Sequence, residues 1–259
     1  MRKLLFFIAF LCASMTLSEL AAQHLAGVPY VGATLEPSTL PEAPESFVEP
    51  LVVNLEGVDC TTYVEYVTAS RLAGQQEILP TDSLFLAKLQ ALRYRDGQRG
   101  NYATRKHYFS EWILDAEAQG LLTDVTSQLK GATTLCKKID FMSQHSQFYP
   151  QLQKSEALLH EVQKVEQQLS ADTIYYIPKE QIAKAHLQLR DGDIVAFLTS
   201  RDGLDIQHVG FVWRPTSKSQ PRLLHASTTH KCVTVDKRTI SQYAMAQKTI
   251  AGIRIIRIK

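Results

Sequence analysis

The chain is poor in cysteine, with four in 259 residues. A disulfide scaffold is therefore excluded as the basis of its stability, because such scaffolds belong to short, cysteine-dense chains. It has no Cys-x-x-Cys pair and no His-Glu-x-x-His segment, so the common zinc signatures are missing. Charge of one sign is also missing. The formal net charge is +2, and Lys and Arg are spread along the chain apart from short runs such as Arg93-Tyr94-Arg95. No global field draws the molecule to nucleic acid or an anionic membrane. The longest mostly apolar run, Leu4 to Leu17, is shorter than the roughly 20 residues that span a bilayer, so stable membrane insertion is not expected. Internal repeats and low-complexity tracts are absent.

What is present is an ordinary globular composition, 45% hydrophobic and 21% charged, enough to bury a sizeable core. At the N-terminus Arg2 and Lys3 precede the Leu4–Leu17 run, and Ala21-Ala22 follow it. That order reads as a secretory signal peptide over residues 1–22, with cleavage near Ala22 and export to the periplasm or beyond the cell. Phe10-Leu11 is a poor approach to Cys12 as a lipid-attachment cysteine. Removal of the leader leaves Cys60, Cys136 and Cys232, an odd number, so at least one thiol is free. Cys136 and Cys232 can in principle pair.

Residues 23 to about 50 are expected to be extended and irregular, punctuated by Pro29, Pro37, Pro41, Pro44 and Pro50. From Cys60 to Ala73 the chain has neither Gly nor Pro. Asp59 suits an N-cap and Gly74 a C′ position, so a helix is expected there. Asp82–Leu92, Tyr108–Ala118 and Leu152–Leu169 are further helix candidates. From Asp191 the pattern turns strand-like. Ile194–Leu198, Val209–Trp213, Arg222–Ala226, Lys231–Val235 and Gly252–Ile258 are separated by turn signals such as Asp202-Gly203. Helices first and closely spaced strands afterwards make the class α+β with an antiparallel sheet.

Cys60 opens its helix, where free N–H groups and the positive end of the dipole favour an anion. A lowered thiol pKa is therefore expected. The bland alternative is a small buried hydrophobe. His208 begins one strand and His225 lies in the next, so antiparallel pairing can bring the two imidazoles together. Nucleophile, base and orienting group would then be Cys60, His208 and His225. The spacing from Cys60 to His208 falls within the roughly 130–150 residues typical of papain-type enzymes. Two rival readings remain. One is a zinc site built on Cys60, His208 and His225, which the missing signatures disfavour. The other is a binding module on the same fold that does not cut.

The segments carry a resemblance. Asp59-Cys60-Thr61-Thr62-Tyr63-Val64-Glu65, His208-Val209-Gly210-Phe211-Val212 and Leu224-His225-Ala226-Ser227 resemble three blocks of the NlpC/P60 cell-wall peptidase superfamily. Gly27–Gly32, Arg93–Gly97, Arg105–Ile113 and Gly203–Ile206 extend the likeness to the DUF1460 branch, described as N-acetylmuramoyl-L-alanine amidase-like. The resemblance implies a papain-like core in one catalytic domain over 23–259, with a largely helical insertion over about 80–190. It implies a cofactor-free, metal-free cysteine hydrolase acting on peptidoglycan stem peptides or muropeptides. The bond expected is γ-D-glutamyl–diamino acid, with the muramoyl–L-alanine amide as alternative. Asp59 is either a helix cap or a contact to a substrate amine, and Tyr30 either lines the groove or is simply packed. Thr61, with Thr62, stands where the superfamily commonly has Ser-Gly, so Thr61 is a further substrate-binding candidate.

Overall fold

The computed structural model describes residues 16–32 and 41–259. Most of the leader, Cys12 and Pro37 lie outside the described residues. An eight-stranded sheet organises the chain. Its strands are β1 (Leu122–Asp124), β2 (Thr133–Cys136), β3 (Thr173–Pro178), β4 (Ile194–Thr199), β5 (Ile206–Trp213), β6 (Arg222–Ser227), β7 (Cys232–Thr239) and β8 (Ile250–Ile258). The order is β2-β3-β8-β4-β5-β6-β7, with β1 also on β8 and every pairing antiparallel. The architecture is thus α+β.

The expected strands after Asp191 all form; β4, β5 and β8 are rich in β-branched and aromatic residues that the sheet buries, and β6 buries Leu223, Leu224 and Ala226. The stretch over 80–190 is less helical than expected, since β1, β2 and β3 lie within it. β1 and β2 are short and β2 is largely exposed, so neither alternation nor a continuous apolar run announces them, whereas β3 carries a Thr173-Ile174-Tyr175-Tyr176-Ile177 run that the helical expectation passed over. The expected helix over Leu152–Leu169 is two helices, α6 (Pro150–Lys154) and α7 (Glu156–Ala171). Ser155 breaks the run in an extended conformation and caps α7 through Leu158 N–H.

The chain at residues 23–50 also begins differently from expectation. Helix α1 (Leu17–Leu25) opens with Thr16 as cap in a capping box with Glu19. It buries Leu20, Ala21 and Leu25 in the main core. Ser18 donates to Asp191, and the Tyr63 hydroxyl donates to the Ala21 carbonyl. The boundary drawn at Ala22 therefore falls inside a packed helix.

The central helix α2 (Cys60–Leu72) packs on β5 and β6 of the sheet and against α1 and α3 (Ser83–Arg93), and α4 (Phe109–Ala118) packs on α3. From Thr62 to Ser70 it is buried on every face, so it lacks an amphipathic stripe. Its one buried acid, Glu65, accepts from Arg93 Nε at 2.8 Å. Asp59 and Thr62 form the capping box at its start. Gly74, at φ +71°, ends the helix as expected. A second core fills the other face of the sheet, where α8 (Ile182–Ala185) and α9 (Ile240–Met245) pack. A third joins α5 (Phe141–Gln144), α6 and α7 to the segment around Tyr102 and Tyr108. Among the described residues no helix is long and apolar enough to cross a membrane.

Candidate active site

Strands β5 and β6 pair only from Phe211↔Leu224 to Trp213↔Arg222. His208 and His225 stand beyond the end of that ladder. On its other edge β5 pairs Phe197 with His208 and Leu198 with Ile206, so Gln207 is the extra residue of a bulge beside His208. Gly210 allows the close approach of the strands. A Cβ there would meet Leu224 O at 2.7 Å and His225 Cβ at 2.9 Å.

The two imidazoles are joined by a hydrogen bond, His208 Nε2 to His225 Nδ1, of 2.6 Å. Their rings meet edge to face with centroids 4.8 Å apart. Phe197 and Tyr243 flank His208 at 6.1 and 6.0 Å, and Tyr243 meets His225 edge-on at 5.5 Å. His225 is buried, while His208 keeps part of its surface. Burial holds the His208 pKa down to about 3, with the His225 charge adding to the effect. His225 falls to about 4, again chiefly through burial, with Asp236 pulling the other way. Both are neutral at physiological pH.

Cys60, Thr61 and His208 line one pocket of about 240 Å³. Its far wall comes from Tyr108, Phe109 and Trp112 at the start of α4, with Met142 and Tyr149. Tyr108 is locked by donating to Glu166 at 2.7 Å and accepting from Met142 N–H at 2.9 Å. The Cys60 residue is half-exposed, but protein atoms crowd its sulfur. Contrary to expectation, the thiol pKa is raised, to about 11. Burial is the main cause and the Asp59 carboxylate the second. Together they outweigh the Val209 N–H, the Thr61 hydroxyl and the helix-start N–H of Cys60 itself. The helix terminus does favour an anion, but its capping carboxylate has already taken that place.

The structure thus brings Cys60, Thr61 and His208 to one pocket, with His225 behind His208. Asp59 is the cap: its Oδ1 accepts from Thr62 N–H at 2.8 Å and from Thr62 Oγ1 at 2.9 Å. Tyr30 is carried on a bridge to Val58, beside both Asp59 and Cys60, whose charges raise its phenol pKa after burial has done so. Neither Asp59 nor Tyr30 lines the pocket itself. Cys60, Cys136 and Cys232 are all free thiols. Among the described residues no group of three or more His, Cys, Asp or Glu side chains is placed to hold a metal ion. Sequence reasoning missed Phe197, Tyr243 and the pocket wall. It also missed Asp236 and Arg238, whose alternate-residue spacing on a strand puts both on one face.

A family model described as N-acetylmuramoyl-L-alanine amidase-like (AmiA-like) matches residues 20–252. Among solved structures, the chain is similar to an N-acetylmuramoyl-L-alanine amidase from Bacteroides uniformis. That match has 36% identity and a TM-score of 0.83, and covers 94% of this chain and 97% of that one. A Bacteroides fragilis protein described as a candidate xylanase is 35% identical, with a TM-score of 0.80, covering 92% of this chain and 99% of that one. A Legionella pneumophila protein assigned to DUF1460 is 20% identical, with a TM-score of 0.64, covering 94% and 88%. At that identity the likeness speaks for the fold alone. Among curated proteins none matches the chain.

Proposed function

The chain belongs to the N-acetylmuramoyl-L-alanine amidase-like family, and from that premise we propose that it is a cysteine hydrolase of peptidoglycan amide bonds. The observation that carries the reading is the 2.6 Å contact between His208 Nε2 and His225 Nδ1, beside the pocket that Cys60 opens. With Nε2 engaged by His225, Nδ1 is the His208 nitrogen left to serve the thiol. We read the core accordingly as papain-like in the NlpC/P60 sense, one catalytic unit into which residues of about 80–190 are inserted.

The step follows from the resting protonation states. Thiol and imidazole are both neutral, so the Cys60 proton passes to His208 Nδ1 as sulfur attacks the amide carbonyl. The backbone N–H of Cys60 donates to the developing oxyanion, an interaction of about 3–4 kcal/mol in comparable sites. The C–N bond then breaks, His208 returns the proton to the leaving amine, and a thioester remains on Cys60. Water activated by His208 hydrolyses that thioester and restores the thiol. His225 keeps His208 in the productive orientation throughout. Asp59 caps the helix, Thr61 borders the thiol inside the pocket, and Tyr30 stands beside Cys60 outside the pocket lining.

Glycosidase chemistry, which the description of one relative brings to mind, uses two flanking carboxylates. The described lining of the pocket contains one, Asp205, which is spent on the Ser110 N–H. For the bond cut, the family description supports the muramoyl–L-alanine amide. The NlpC/P60 resemblance supports the γ-D-glutamyl–diamino acid bond. Export past the cytoplasmic membrane belongs to the same proposal, because that is where peptidoglycan is reached.

The test is mass spectrometry of defined muropeptides incubated with the protein. One new amine is expected, and its identity names the bond. Cys60→Ala should abolish the product while leaving the circular dichroism spectrum unchanged. Undiminished cleavage by that variant would overturn the assignment.

A further inference from the structure

The histidine pair has a tautomer requirement that the two imidazoles do not satisfy by themselves. One proton lies in the bond between His208 Nε2 and His225 Nδ1. If His225 supplied it, His208 would have to carry its own proton on Nδ1 and could not accept one from Cys60. In the working state His208 Nε2–H therefore donates, and His225 carries its proton on Nε2. His225 Nε2 is buried and has no hydrogen-bond partner among the described residues. An unpaired buried N–H is costly, so something must hold the proton on that side.

Strand β7 supplies a charge in the right place. His225 pairs with Thr234, and Asp236 lies two residues along, where the β6–β7 ladder turns irregular between Leu224↔Val235 and Arg222↔Thr239. Asp236 is only 3% exposed. Its carboxylate is held by Arg238, which donates from the backbone N–H at 2.8 Å, from Nε at 3.0 Å and from Nη2 at 2.7 Å. The Arg238 guanidinium lies 5.0 Å over the Tyr243 ring, and Tyr243 in turn packs against both imidazoles. Carboxylate, cation and phenol thus form one packed layer behind the pair.

We propose that Asp236 is a positioning residue. Its carboxylate, fixed by Arg238, holds His225 in the Nε2-protonated tautomer and so leaves His208 Nδ1 open to the Cys60 thiol. This rests on the catalytic roles proposed above for Cys60, His208 and His225. The charged and titratable groups facing His225 are His208 on β5, Asp236 and Arg238 on β7, His230 in the preceding hairpin and Tyr243 on α9. Of the charges acting on His225, that of Asp236 is the largest and favours added protons. His230 and Arg238 oppose it.

The experiment is imidazole NMR on the whole protein with labelled histidine, at neutral pH. In the wild type His225 should be protonated on Nε2. Protonation on Nδ1 would overturn the proposal before any variant is made. Asp236→Asn keeps the shape and removes the charge. It should shift His225 towards the Nδ1–H form and lower kcat for muropeptide cleavage by about tenfold with KM little changed. Asp236→Glu should restore the wild-type tautomer. An Asn variant with the wild-type tautomer and undiminished kcat would show that Asp236 only braces the β7 turn. The tautomer is read without substrate. A wild type that cuts no muropeptide, yet loses its tautomer in Asp236→Asn, would sink the peptidoglycan reading and leave this one standing.

Discussion

At the scale of single residues, burial and a neighbouring carboxylate leave the Cys60 thiol protonated at neutral pH, so in the proposed mechanism proton transfer accompanies attack instead of preceding it. A preformed thiolate–imidazolium pair would alkylate at a rate nearly independent of pH around neutrality. Here the thiolate fraction rises about tenfold per pH unit below the thiol pKa. The rate of Cys60 carboxamidomethylation by iodoacetamide should therefore climb without a plateau from pH 6 to pH 9. Peptide mapping separates Cys60 from Cys136 and Cys232. Because His208 stays neutral down to about 3, the acid limb of hydrolysis should lie well below the ordinary histidine range. The residue types at 60, 208 and 225 were legible in the sequence, as was the cap at Asp59. The direction of the thiol shift was not. The helix-end argument counts the dipole but not the desolvation or the carboxylate that occupies the same end.

At the scale of elements, β5 and β6 end their ladder at Phe211↔Leu224 yet stay close enough beyond it for a 2.6 Å imidazole contact. Gly210 sets the approach. Gly210→Ala would push its methyl into Leu224 O and His225 Cβ. It should cost about 1–3 kcal/mol in urea unfolding, as overpacked positions do, and should lower kcat more than KM changes. The Gln207 bulge beside His208 and the break at Ser155 needed the coordinates. The bulge depends on β4, a partner strand that the local pattern does not reveal, and the break at Ser155 leaves the apolar periodicity uninterrupted. Helix α1 makes a second case. Its apolar residues read as the tail of an export leader, whereas Leu20 and Ala21 fill the core against α2. Leu20→Ala should cost about 2–5 kcal/mol. N-terminal sequencing of exported protein should find a start no later than Thr16, and a start at Gln23 would contradict the packing.

At the scale of the whole molecule, the site spends stability to keep neutral imidazoles out of water. His208 and His225 titrate near 3 and 4 in the folded protein, against 6.5 for an ordinary histidine. The unfolded chain therefore binds protons that the folded one refuses as pH drops below about 6.5, and unfolding gains. Their contribution favours the fold fully above that value and is lost as pH falls through the folded values. Asp205 and Glu111, raised by burial, pull in the opposite direction. The contrast with His208→Gln/His225→Gln isolates the histidine part. Calorimetry should show the wild-type Tm falling more steeply between pH 6.5 and pH 4 than that of the double variant.

By itself the sequence determined the local events: the capped helix beginning at Cys60, the apolar strands after Asp191, and the order in which one thiol and two imidazoles occur. Caps, periodicity and turn residues act over a few positions, so one chain displays them. Only the tertiary structure decided that His208 and His225 meet beyond the end of the β5–β6 ladder, that Tyr108 and Trp112 wall the pocket, and that Asp236 stands behind the pair. Those outcomes come from burial and from charges brought together across the sheet, and both are properties of the packed molecule.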